Sequence, residues 1–291
     1  MTINGTDIKN YSAFLLDGSY AGMLAWPQLR NIVTNDWWEE DGVDVDMSEA
    51  TLGGRTLTVL IGISGEGKRE LFTSWLMGQG RRHNVTESWV GLDSELRLAG
   101  VTALETAGGD TLTKLALTYY DDKLDGFLNS EGEIEPYSPT SSLGLSDDYS
   151  INGKNLGVFG IRTLGGADSF RKPALVKDGL VRDVASVNGR IADVKGDAEH
   201  PLGVTHFAGK SVTLTCLMKG RSVSEFINNW HALIYECSQK GDGAASTTLY
   251  SSLTGETYGA VYAGGSFNKI YSDSDGVWAI MSVSFTLVSV N

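Results

Sequence analysis

The sequence predicts a mainly β (α+β) protein built from two tandem, related domains, each a β-sandwich or barrel carrying one helix. Three observations lead there. At 291 residues the chain is about twice the size of an ordinary domain. Glycine outnumbers proline 36 to 5 and Ser and Thr abound, a composition that suits many short strands and turns. Most telling, three blocks recur in the same order. Ile3-Asn4-Gly5-Thr6-Asp7-Ile8 returns as Ile151-Asn152-Gly153-Lys154-Asn155-Leu156. Gly54-Arg55-Thr56-Leu57-Thr58-Val59-Leu60 returns as Gly209-Lys210-Ser211-Val212-Thr213-Leu214-Thr215. Glu70-Leu71-Phe72-Thr73-Ser74-Trp75-Leu76 returns as Glu225-Phe226-Ile227-Asn228-Asn229-Trp230-His231. The offsets are 148, 155 and 155, too long a period for a solenoid, so the repeat is a duplicated globular unit. The domains are residues 1–125 and 149–291, with an acidic linker at 126–148.

Each copy opens on a short strand with an Asn-Gly turn. A strand with two-residue alternation follows: Leu57, Val59 and Ile61 share one face, and Thr56, Thr58 and Leu60 the other. In the second copy Val212, Leu214 and Cys216 oppose Ser211, Thr213 and Thr215. A helix comes next, with Leu71, Phe72, Trp75 and Leu76 on one apolar face and Phe226, Ile227, Trp230 and Leu233 on its counterpart. Trp75 and Trp230 are the expected core anchors, each plugging a helix onto its sheet. The first copy closes on a strand through Leu112, Leu115 and Leu117, and the second on residues 278–288. Residues 37–54, 78–84 and 241–248 read as irregular, the last of them mobile, and the join as a linker with one short element near 124–128.

The formal charge is −13, and it is lopsided: residues 1–145 hold 10 Lys and Arg against 22 Asp and Glu, while residues 146–291 hold 13 against 14. Such a chain is not a general nucleic-acid binder, which needs clustered cations to neutralise phosphates. Two cysteines, Cys216 and Cys237, make neither a disulfide scaffold nor a zinc site and are expected as buried thiols. No apolar stretch is long enough to span a bilayer, and MTINGTDIKN lacks the basic-then-apolar pattern of a leader. A cytoplasm-like compartment, or export inside an assembly, is expected.

The chemical motifs are thin. Gly62-Ile-Ser-Gly-Glu-Gly-Lys68 matches a phosphate-binding loop between strand and helix. Arg69 stands where the Mg²⁺-ligating hydroxyl would be, and the second copy has no such loop. The reading is therefore a plain strand-to-helix turn with its cap near Ser64 or Gly65. The acidic stretch after Trp37-Trp38 alternates Val43, Val45 and Met47 with Asp44, Asp46 and Ser48 before Glu49. That pattern predicts a strand with one apolar and one acidic face, and Asp44, Asp46 and Glu49 become the candidate acidic or lumen-facing residues. Asp273-Ser-Asp275-Gly276 reads as a hairpin turn, since the closing Glu of a Ca²⁺ loop is missing. His83, His200, His206 and His231 lack a nucleophile context, so neither an enzyme nor a cofactor is expected.

Taken in order, the Asn-Gly strand, the Gly-Arg or Gly-Lys strand, the Trp helix and the long final strand resemble the tail-tube and distal-tail protein family of long-tailed bacteriophages. The segments are residues 3–8, 54–63, 70–76 and 111–120, and again 151–156, 209–217, 225–233 and 278–288. The resemblance implies a structural virion protein assembled in the host cytoplasm, forming a ring around a channel through which DNA passes unbound. It implies self-association, as a pseudo-six-fold trimer or a hexamer, and neighbouring tail-tube and tail-tip proteins as partners. Distal-tail proteins carry a single ring-forming domain; here the second half repeats the first. The residues also admit a tandem lectin-like module that grips sugars with Trp37 and Trp38.

Overall fold

The computed structural model describes residues 1–35, 42–108, 111–166, 209–240 and 247–290. The first unit opens with a hairpin of β1 (Thr2–Ile3) and β2 (Thr6–Asp7). Its turn residues Asn4 and Gly5 both have positive φ (49° and 77°), the mirror-image turn that matches strand twist and that Asn-Gly accepts. A 3-10 turn over Ile8–Tyr11 leads into β3 (Ala13–Leu15) and α1 (Ser19–Met23). An excursion of short strands follows: β4 (Gln28–Arg30), β5 (Val33–Asn35), β6 (Asp44–Asp46) and β7 (Thr51–Gly53). Then come β8 (Arg55–Ser64), α2 (Lys68–Gly78), β9 (Arg82–Glu87), β10 (Leu92–Ala107) and β11 (Leu112–Asp121). The second unit runs β12 (Tyr149–Ile151), β13 (Lys154–Asn155), β14 (Ile161–Gly165) and β15 (Lys210–Gly220). Helix α3 (Val223–Cys237), β16 (Thr247–Ser251), β17 (Glu256–Asp273) and β18 (Gly276–Val290) complete it.

Each unit forms one seven-stranded antiparallel sheet. The strand orders are β2-β1-β9-β10-β11-β8-β3 and β13-β12-β16-β17-β18-β15-β14, the same element for element. The match extends to irregularities. β10 slips register between Leu98 and Gly100 and between Ala103 and Glu105; β17 slips between Tyr262 and Gly264 and between Phe267 and Lys269. Counting along the pairing with β11 and β18 makes these the same two bulges. Small polar devices coincide too: Asn4 and Asn152 each accept a backbone N–H at 2.8 Å, from Asn84 and Thr248. Asp7 and Asn155 each cap a 3-10 turn, accepting from Lys9 and Gly157 at 2.9 Å.

The alternating strands bury the expected faces: Leu57, Val59, Ile61 and Ile63 in β8, and Val212, Leu214, Cys216 and Met218 in β15. Both helices form where expected, but they are not equally docked. Ser222 caps α3, accepting the Glu225 N–H at 3.1 Å, and the helix buries Phe226, Trp230 and Leu233. Gly67 caps α2 with no side-chain hydrogen bond, and only Phe72 and Leu76 are fully buried there. Leu71 is 50% exposed. Trp75 is a half-buried rim residue stacked on Tyr11, with ring centroids 4.4 Å apart. The expected pair of anchors therefore divides: Trp230 is a core anchor, and in the first unit Phe72 takes that place because it, not Trp75, points at the sheet.

The linker region is not a loose tether. Its first turn, closed by Phe127 N–H donating to Leu124 O at 2.8 Å, matches the short element expected there. Farther on it is strapped along α3. Asn228 donates to Ser138 O (2.9 Å), Asn229 accepts from Thr140 N–H (2.7 Å) and Glu225 accepts from Ser142 N–H (2.9 Å). Asn228 and Asn229 lie one helical turn beyond Glu225.

One continuous apolar core spans both units. At its centre Arg55 and Asp121, directly paired across β8 and β11, form a buried ion pair at 2.8 Å. The Arg55 guanidinium also donates to Ala25 O (2.9 Å) and lies over the rings of Phe127 and Trp230, at 4.8 and 5.6 Å. The other Asp121 oxygen accepts the Leu124 N–H at 2.9 Å. Asp121→Ala is expected to destabilise the protein by about 3–5 kcal/mol, because it strands a buried guanidinium. Trp230→Ala should cost about 3–5 kcal/mol, and Trp75→Ala less than half of that. Urea unfolding of the three variants checks both the sizes and the order.

Candidate functional site

The surfaces that join or could join units are the candidates. Inside the chain the units meet head to tail. After β3 the first unit's chain runs along the free edge of β8: Leu16 N–H and the Ser19 hydroxyl both donate to Leu60 O, at 2.9 and 2.6 Å. Helix α1 then contacts both β8 of its own sheet and β17 of the other. Trp26 inserts among Trp230, Tyr262 and Phe267, with ring centroids 6.1, 6.3 and 5.4 Å away. Gly265 makes room for it: a Cβ there would lie 2.4 Å from the indole ring. The Tyr262 hydroxyl donates to Pro27 O at 3.1 Å.

The acidic hairpin docks on the same sheet. β5 and β6 pair antiparallel, and Val45, Met47 and Ala50 form a small apolar cluster with Val261 and Val288. Val43 N–H donates to Val288 O at 2.9 Å. Alternation then turns Asp44 and Asp46 outward, both exposed, as is Glu49. Asp46 accepts the Ser48 N–H at 2.9 Å, which holds its carboxyl below the usual carboxylate range. The expected strand with an apolar and an acidic face is present. Trp37 and Trp38, on which the sugar-binding reading rests, lie outside the described residues.

Each sheet also has a hydroxyl-bearing face opposite its buried one. Thr56, Thr58 and Thr118 alternate with buried residues of β8 and β11. Ser211, Thr213, Thr215, Ser282, Ser284 and Thr286 do the same in β15 and β18. Thr213 and Ser284 share a hydrogen bond at 2.8 Å. By register the same faces also carry Lys114, Lys219 and Lys269, so hydroxyls and cations share them.

The remaining motifs resolve into structure. In the glycine-rich loop, Gly65 N–H donates to Thr111 O (2.7 Å) and Lys68 N–H to Gly65 O (3.2 Å), so these donors serve backbone partners. The helix cap falls on Gly67, not Ser64 or Gly65. Ser274 and Asp275 join β17 to β18 in a two-residue turn, with Asp275 N–H donating to Asp273 at 2.8 Å. Cys216 and Cys237 are buried, and burial pushes the Cys216 thiol up to about 12. His83 bonds Tyr119 and Gly80 O at 3.0 and 3.1 Å. His231 packs against Phe127, Tyr137 and Trp230, with centroids 4.4, 5.0 and 5.2 Å away. Among the described residues no group of three His, Cys, Asp or Glu is placed to hold a metal, and no helix is long and apolar enough to cross a membrane. Comparison with protein-family models, curated proteins and solved structures finds no match for the chain.

Sequence reasoning singled out the acidic hairpin and Trp230 but missed Trp26, the Arg55–Asp121 pair and the hydroxyls of β18. Arg55 was visible only as a repeat position, where the second copy has Lys210. Burial, with the Arg55 charge nearby, lowers the His231 pKa from 6.5 to about 3. The folded protein therefore refuses a proton that the unfolded chain accepts between those values. The His231 contribution to stability is full above pH 6.5 and falls as pH drops through that window. Urea unfolding at pH 7.5 and 5.5 should show a smaller loss for His231→Phe than for the wild type; an unchanged loss would assign the dependence elsewhere.

Proposed function

We propose that the chain is a structural component of a long-tailed bacteriophage tail, a distal-tail or tube-to-tip adaptor forming a ring around the DNA channel. The observation that carries this reading is the head-to-tail packing of two equivalent sheets within one chain. A heterologous contact of this kind, repeated between chains, closes into a ring or runs on as a filament. Three chains then give a pseudo-six-fold ring, and six chains give two tiers or a ring with a collar. Neighbouring tail-tube and tail-tip proteins dock on its two ends, and the place of action is the virion.

The surface chemistry supports the same reading. In such a ring the hydroxyl-bearing sheet faces form the channel wall, and Asp44, Asp46 and Glu49 add negative charge around it. The carboxylates repel phosphates and the hydroxyls offer them no charge, which limits DNA contact to the few lysines on these faces. Mass photometry and negative-stain microscopy of the purified chain test the proposal: rings with a central hole are expected, and a single chain at every concentration would sink it. Asp44→Lys with Asp46→Lys should assemble normally yet slow DNA delivery, read as a delayed ejection time course. Unchanged ejection would remove these two residues from the channel.

A further inference from the structure

We propose that the hydroxyl-bearing face of the second sheet, at the end nearest the β17–β18 turn, is a binding site for single-stranded nucleic acid. Its floor is aromatic and apolar. Trp278 and Tyr271 are paired across β18 and β17 and stack, with ring centroids 4.1 Å apart and planes 20° from parallel. Tyr271 is 37% exposed and Trp278 is half-buried. One row along, Ile280 and Leu217 are paired across β18 and β15 and are half-buried too, so they extend the floor. Pairing of β16 with β17 ends at Ala260, so no described strand flanks Tyr271 on its other side.

Arg162, Lys219 and Lys269 rim this floor. Lys219 is paired with Trp278, Lys269 with Ile280 and Arg162 with Leu217, and partners across an antiparallel ladder share one face. Arg162 and Lys269 are exposed and Lys219 is half-buried. Among the described residues none of the three makes an ion pair. Alternation along β17 adds Asp273 to this end, but its carboxylate accepts the Asp275 N–H at 2.8 Å and serves the turn. The first sheet shows that the fold does not require such a surface. By the equivalent pairings it has Leu112 and Ala107 where the second has Trp278 and Tyr271, and Ser64 in place of Lys219. Its Lys114 faces Glu105, so there opposite charges meet. The sheets match in strand order and bulges, yet the stacked pair with a cationic rim is in the second.

The ligand class follows from the chemistry of floor and rim. An unstacked base lays its ring on Tyr271 or Trp278, and the phosphates beside it pair with Lys219, Lys269 and Arg162. Cations alone would take any polyanion; the aromatic floor selects one that alternates flat aromatic rings with single negative charges. A duplex keeps its base faces inside its own stack, so single strands alone gain the aromatic contact. Duplex DNA can therefore pass the same face without being gripped. The net charge of −13 opposes capture from afar, so the site acts at close range and binding weakens as salt rises. The site is a property of the single chain, and it goes beyond the ring reading without depending on it.

The test is fluorescence anisotropy of the full chain with labelled oligothymidine and oligouridine of about 15 nucleotides at about 50 mM salt. Saturable binding is expected, with a duplex of the same length bound about tenfold more weakly or less. Tyr271→Ala should raise the Kd about tenfold, the effect of one lost stacked base. Lys219→Gln combined with Lys269→Gln should flatten the slope of log affinity against log salt by about 1.4. Lys114→Gln, on the matching face of the first sheet, should alter neither. Tyr271 and Lys269 are exposed, so their variants should keep the wild-type unfolding midpoint in urea. Tighter binding of one oligonucleotide names DNA or RNA as the source and supports the site either way. No saturable binding of either, equal affinity for duplex, or variants that keep the wild-type affinity and salt slope would overturn the assignment. So would binding of an anionic polysaccharide such as heparin in preference to both oligonucleotides. Ring formation is read separately by microscopy, and none of these results bears on it.

Discussion

The buried pair of Arg55 and Asp121 is the constraint around which the two halves are organised. It closes the β8–β11 pairing at the end nearest the second unit. A buried ion pair is worth keeping only when every remaining donor and acceptor is used, since desolvation otherwise exceeds the Coulomb gain. Here the guanidinium also holds Ala25 O, just before Trp26, and the carboxylate also holds Leu124 N–H, just before Phe127. Two chain segments leaving the first sheet are thereby aimed at one point. Trp26 and Phe127 arrive there on either side of Trp230, and the charge itself lies over two of the three rings.

This arrangement converts a duplication into an asymmetric pair. The sheets, bulges, Asn-Gly turns and 3-10 caps are shared, so each unit folds by the same local rules. What differs is the role at the junction. The first unit supplies a wedge, the acidic hairpin and the strap along α3; the second supplies an aromatic socket with Gly265 as its floor. The charge imbalance of the sequence falls largely on the hairpin and on the start of the linker, whose Glu131, Glu133 and Glu135 precede the strap. Of the hairpin's described carboxylates, Asp44, Asp46 and Glu49 face outward while Val45 and Met47 pack against the second unit.

Some of this was legible in the residues. The strands with clean alternation, β8, β15 and the later half of β18, were found because one face is buried and period two survives along them. β10 and β17 escaped notice although they are the longest strands. Each bulge adds a residue and reverses the phase, so the apolar positions Leu98, Val101 and Ala103, or Tyr262, Gly265 and Phe267, no longer alternate in the text. The strap was hidden for another reason. Its hydrogen bonds go to Glu225, Asn228 and Asn229 some ninety residues away, and only the α3 face brings them within reach. The cap signal Ser222-x-x-Glu225 was present and explains why α3 is the firmer helix.

By itself the sequence determined what local physics controls: a mainly β chain, an internal duplication, two helices, an acidic strand with an apolar underside, and hairpin turns at Asn4-Gly5, Asn152-Gly153 and Ser274-Asp275. Periodicity and turn chemistry act over a few residues, and a repeat is visible as text. Only the tertiary structure decided which tryptophan anchors a core, where the linker lies and which edge of which sheet is covered. Those outcomes depend on contacts between residues far apart in the chain. Trp26 gives no local sign that its partners are Trp230 and Phe267, because nothing near it in sequence alters when they meet.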